Sequence, residues 1–99
     1  MNYNFEWDPT KALKNIAKHK ITFESATSIF KDKNAISLFD ELHSEEKNEE
    51  RWITIGMDKE TRTLVVVHTF MSIDQDNYNI RLISARKATK NEEKTYQEG

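Results

Sequence analysis

Apolar residues first alternate along the chain, then recur at helical spacing, then alternate again. In YNFEW, Tyr3, Phe5 and Trp7 are separated by polar neighbours, which predicts a short strand. DPTKALKNIAKHK follows: Asp8 is placed to cap a helix, and Pro9 sits at its first position, where a missing N–H costs nothing. Leu13, Ile16 and Ala17 form a one-sided apolar stripe, the expected packing face of that helix. TFESATSIF predicts a second helix capped by Thr22, with Phe23, Ala26, Ile29 and Phe30 inward, and ITF is only long enough to join neighbouring helices.

The remainder is strand-rich. AISLF predicts a strand, and the polar DELHSEEKNEE a loop or frayed helical turn. RWITIGM and TLVVVHTF are stronger strands joined through DKETR in a hairpin. YNIRLISA is the last strand, after the turn formers of MSIDQDN. Thr89 and Glu92 stand at capping-box spacing, so a short C-terminal helix follows. The expected fold is an α+β sandwich with its helices on one face: two N-terminal helices packed on a small antiparallel β-sheet of about four strands, and a short C-terminal helix.

A chain of 99 residues has room for one domain, taken as residues 1–99. The absence of cysteine excludes disulfides, thiolate metal sites and a cysteine nucleophile. MNYNFEWDPT has neither the basic start nor the apolar core of a signal peptide, and LVVV is too short to span a membrane, so the expectation is a cytoplasmic protein without membrane contact. The net charge of −2 conceals a block pattern: lysines from Lys11 to Lys33, acids from Asp40 to Glu50, cations again from Arg81 to Lys94. A polyanion or an acidic partner could use the basic blocks, although single blocks usually serve as solvated faces.

No metal-binding spacing exists among His19, His43 and His68, and a chain with two glycines holds no phosphate-binding glycine loop. What remains is a set of cations and histidines at strand ends. Strand parity sets Arg51 with Ile53, Ile55 and Met57, and His68 with Leu64, Val66 and Phe70. Arg81 falls with Ile83 and Ala85, whereas Arg86 falls with Leu82 and Ser84. The two arginines therefore point opposite ways unless the chain leaves the strand near Ala85. Each candidate also has an ordinary reading: His68 as a core histidine, Arg51 in an ion pair with Glu49 or Glu50, Trp52 as core or interface, and Arg86, Lys87 and Lys90 as a solvated helix start.

In this order the motifs resemble the BrnT family of bacterial type II toxins. The resemblance is carried by FEWDPTKALKNIAKHKITFESATSIFKD (Phe5 to Asp32), EERWITIGMD (Glu49 to Asp58), TLVVVHTF, and IRLISARKATKNEEKTY (Ile80 to Tyr96). It implies a RelE-like, metal-independent endoribonuclease that uses no cofactor and arrests growth by cutting RNA. It also implies a BrnA-like antitoxin that neutralises the toxin in a heteromeric complex, dimerises it, and alone contacts operator DNA. RNA cleavage needs the 2′-OH deprotonated, the phosphorane charge stabilised and the 5′-oxygen protonated. The resemblance assigns phosphate stabilisation to Arg51, Arg81 and Arg86, and proton transfer or backbone contact to Lys18 and His19. Glu50 orients an arginine or acts as base; His68, Lys87 and Lys90 are expected to contact or steer RNA.

Three positions depart from the family pattern: Met71 where many relatives carry arginine, Lys20 where glycine is common, and two glutamates in the C-terminal helix. These set the alternative reading, a toxin-like module of weak or no nuclease activity that binds an antitoxin and acts in operon autoregulation. A basic nucleic-acid-binding protein is disfavoured by the acidic pI of about 5.9.

Overall fold

A computed structural model describes residues 2–41 and 49–99 of the chain. His43 and most of DELHSEEKNEE lie outside the described residues. The elements run β1 (Asn2–Glu6), α1 (Pro9–His19), α2 (Phe23–Thr27) with a 3-10 turn (Ser28–Lys31), β2 (Ile36–Phe39), β3 (Glu50–Met57), β4 (Thr63–Ser72), β5 (Asn77–Lys87) and α3 (Lys90–Glu98). The caps act as the sequence predicts. Asp8 accepts from Thr10 N and Lys11 N, Thr22 accepts from Ser25 N, and Thr89 and Glu92 complete a reciprocal capping box. Lys20 ends α1 in the left-handed region, at φ 62°. That is where a glycine rests without strain, so lysine costs about 1 kcal/mol there.

Two expectations about layers need correction. The sheet has five strands in the order β1-β5-β4-β3-β2, and β1 joins the antiparallel meander by pairing parallel to β5. The helices are also not all on one side. Phe23, Ala26 and Ile29 of α2 and its 3-10 turn pack with Leu64, Val66, Ile80, Leu82 and Ala85 on one sheet face. At Gly56 a Cβ would lie 3.1 Å from the Ile29 Cβ, so the turn sits directly on β3. Helix α3 packs against the other face, where Gly99 meets Ile36 and Glu92 meets Arg86.

Helix α1 corrects a third expectation. Its stripe of Leu13, Ile16 and Ala17 faces solvent, with Leu13 69% exposed, while the inward positions are Ala12, Asn15 and His19. The sheet face is already occupied by α2, so α1 lies along the edge of β5. Beyond Arg81 that edge has lost its partner, because β1 ends at Glu6. Asn15 takes the place of the missing strand. Its Nδ2 donates to Ala85 O (2.8 Å) and Ile21 O (2.9 Å), and its Oδ1 accepts from Ala85 N (3.1 Å).

Beside this clamp, β5 carries a bulge. Val67 pairs with Ser84 and His68 with Leu82, leaving Ile83 as the extra residue. Side-chain parity therefore reverses within the strand: Ile80, Leu82 and Ala85 share the helix-bearing face, and Arg81, Ser84 and Arg86 share the other. Uninterrupted alternation would have put the two arginines on opposite faces. The chain stays in the strand through Lys87, and the bulge, not an exit at Ala85, brings the two arginines to one face.

Asn15→Ala would orphan three buried backbone groups. The expected loss is about 3 kcal/mol of unfolding free energy in urea denaturation. A loss below about 1 kcal/mol would show that the edge of β5 is satisfied in another way.

Candidate functional site

The register builds one charged row across the sheet face that α1 and α2 leave open. Arg51 of β3 stands beside Thr69 of β4, Thr69 beside Arg81 of β5, and Arg81 beside Glu6 of β1. Neighbouring strands lie about 4.8 Å apart, so the two arginines start roughly 10 Å apart across a buried threonine, close enough for both guanidinium groups to converge on one anion. Asp40 reaches the Arg51 Nε at 3.6 Å, and Glu49 takes a hydrogen bond from Arg81 Nη2 at 2.9 Å. Glu6 accepts from Asn79 Nδ2 at 2.8 Å. The ion pair anticipated for Arg51 with Glu49 or Glu50 is thus made with Asp40, across the β2–β3 pairing, while Glu49 serves Arg81.

Arg86 is on the same face but four positions further along β4, opposite Val65, which is roughly 13 Å from the Arg81 row. Its guanidinium grips Glu92 of α3 through two bonds of 2.7 and 2.8 Å. The Arg86 bonds, joined by the Thr89 backbone N–H, overcome burial and hold the Glu92 carboxyl at about 2. Arg86 thereby ties α3 to the sheet. The last turn of α3 is tied again by Tyr96, whose hydroxyl donates to Asp32 and is pushed up to about 12 by that bond.

Lys18 and His19 come from the end of α1 and reach the same region from the edge. With Lys11 and Lys14 they line a groove of about 210 Å³ whose other wall is Ile83 and Ser84, the bulged segment of β5 between Arg81 and Arg86. Lys87 and Lys90 are exposed, at the end of β5 and the start of α3, and the pairing with Leu64 turns Lys87 to the helix-bearing face.

Glu50 and His68 are not brought to the arginines either. Glu50 pairs with Phe70 on the opposite face and accepts from Trp52 Nε1 at 3.2 Å. His68 is 3% exposed and also on the opposite face, its ring against Phe30 at a centroid distance of 4.9 Å. It lines an apolar hollow of about 220 Å³ with Tyr3, Phe30, Trp52 and Phe70, a poor place for a phosphate. The expected placing of His68 in the cleft is therefore corrected. Asp40, Glu49, Thr69 and Ser84 were not singled out for the site. The register across β2, β3 and β4 would have found Asp40 and Thr69, but no local pattern announces Glu49 or the bulge that exposes Ser84.

Among the described residues no group of three metal-ligating side chains comes together, and no helix is long and apolar enough to cross a membrane. The structure resembles the crystal structure of the Brucella abortus ribonuclease toxin BrnT, with a TM-score of 0.64 at 20% identity, covering 91% of this chain and 100% of that one. At such identity the likeness speaks for the fold. A family profile described as "Ribonuclease toxin, BrnT, of type II toxin-antitoxin system" matches residues 7–92, and the chain belongs to that family. It is a ribonuclease toxin of a type II toxin-antitoxin system, with RNA as target and an antitoxin as partner. A search of curated proteins finds no match.

His68 has a structural consequence instead. The Thr69 carbonyl, 3.2 Å from Nδ1, can only accept, so the proton sits on Nδ1 and Nε2 accepts from Thr54, which accepts in turn from Ser37. Burial lowers the imidazole to about 4, against the opposing pull of the Thr69 carbonyl. Between pH 6.5 and 4 the unfolded chain then binds the extra proton and the folded one does not, so stability falls as pH drops through that window and is intact above it. The expected loss from this group is on the order of 3 kcal/mol. Urea midpoints at pH 7 and pH 4 should fall further for wild type than for His68→Gln; an equal fall would place the titration elsewhere.

Proposed function

We propose that Arg51 and Arg81 hold the scissile phosphate of the RNA and stabilise the charge of the phosphorane, the reading carried by their placement in one sheet row on either side of Thr69. Glu49, bonded to Arg81, takes the orienting or base role that the sequence suggested for Glu50. Lys18 and His19 approach from the α1 edge, His19 for proton transfer and Lys18 for backbone contact, while Arg86 contributes field and supports α3. Lys87 and Lys90 steer the polyanion from outside. The chemistry is metal-independent and RelE-like, with fixed charges in place of a cation.

Asp40 and Glu49 are paired with the two arginines. Substrate binding exchanges these carboxylates for phosphate, so the acids set affinity as well as orientation. The partner fits a BrnA-like antitoxin that dimerises the toxin, silences the single domain of residues 1–99 in the cytoplasm, and carries the operator-binding part of the complex.

Induced expression of the chain alone is expected to arrest growth and degrade RNA. Arg81→Ala should lower cleavage about a hundredfold or more and restore growth. An unchanged culture with wild type would sink the enzymatic reading, whereas a folded Arg81→Ala protein of equal toxicity would sink the site assignment.

A further inference from the structure

We infer that the groove between α1 and the bulge of β5 is a second RNA-backbone site, which takes phosphates next to the one that is cut. The inference rests on the ribonuclease reading above and extends it to Lys11 and Lys14. Lys11, Lys14 and Lys18 follow i, i+3, i+7 spacing, so one lysine per turn lines the same flank of α1 over about 10 Å of its axis. Between Pro9 and Lys20 the helix carries no acid. Among the described residues none of the three lysines is ion-paired, in contrast to the arginines of the open face, each of which holds a carboxylate.

The groove leads to the cleavage site through the bulge. By displacing Ile83, the bulge turns Ser84 to the arginine face while leaving it in the groove wall, so Ser84 lies on both surfaces. A single strand whose cut phosphate rests on Arg51 and Arg81 has a path past Ser84 onto the lysine row. The Ser84 hydroxyl is placed along it to meet phosphate or 2′-OH oxygens. The alternative occupant, an acidic amphipathic peptide, is less well served. The apolar residues that would anchor it, Leu13 and Ala17, lie on the outer side of the helix, away from the groove.

The test is equilibrium binding of a labelled 2′-O-methyl oligoribonucleotide of about ten nucleotides, which cannot be cut, in 50 to 200 mM salt. The double variant K11Q/K14Q removes only exposed charges. It is expected to bind about tenfold more weakly at low salt and to lose about 1.4 from the slope of log affinity against log salt, about 0.7 per lost phosphate contact. Cleavage of a long RNA should show a raised KM with kcat unchanged, and cleavage of a dinucleotide should be unaffected. Unchanged affinity and slope would overturn the proposal. So would loss of affinity for the antitoxin with RNA binding intact, which would assign the surface to the protein partner. A lysine-dependent slope in a wild-type protein that cuts no RNA would leave this site standing and overturn the ribonuclease reading instead.

Discussion

The two-sided grip of Asn15 on Ala85 is the interaction on which the working face depends. Strand β5 runs on past its partner β1, and its free edge would leave buried backbone groups unpaired. Asn15 supplies both a donor and an acceptor there, as a strand would. It thereby anchors α1 along the edge and holds β5 in place immediately beyond its extra residue, Ile83. The bulge moves Ser84 and Arg86 to the face that already carries Arg81, and the anchored helix brings Lys18 and His19 to the same edge.

That face must keep three cations together. The structure does so by giving each arginine a carboxylate: Asp40 for Arg51, Glu49 for Arg81 and Glu92 for Arg86. The three pairs are not equivalent. Asp40 and Glu49 stand at the two ends of the acidic stretch between β2 and β3, outside both strands. The Arg86–Glu92 pair is bidentate and built into the α3 capping box, so its loss would loosen the helix. The chemistry proposed above is accordingly placed on the Arg51–Arg81 row, and the structural tie of α3 on Arg86.

Local rules made much of this legible in the sequence. Asp8 and Pro9, Thr22, and the Thr89–Glu92 box each specify a helix start within a few residues, and alternation correctly sorted Arg51 from Trp52 and set His68 among the core residues. The failures are non-local. The stripe Leu13, Ile16, Ala17 read as a packing face because periodicity does not say that α2 takes the sheet first. Parity misplaced Arg86 because RLISA contains no glycine or proline to mark a bulge, which exists only in the pairing with β4. The sequence points to Glu50, whereas Glu49 meets Arg81, because which neighbour faces the arginines depends on where β3 begins.

The central claim is that Arg51 and Arg81 act on a single phosphate. Its most direct test is a double-mutant cycle on single-turnover cleavage of a short RNA by Arg51→Ala, Arg81→Ala and the pair. Each single change should slow cleavage about a hundredfold to a thousandfold, and the double variant should be little slower than the worse single, as for groups that work as a unit. Losses that multiply independently, or a wild-type rate in either single variant, would contradict it.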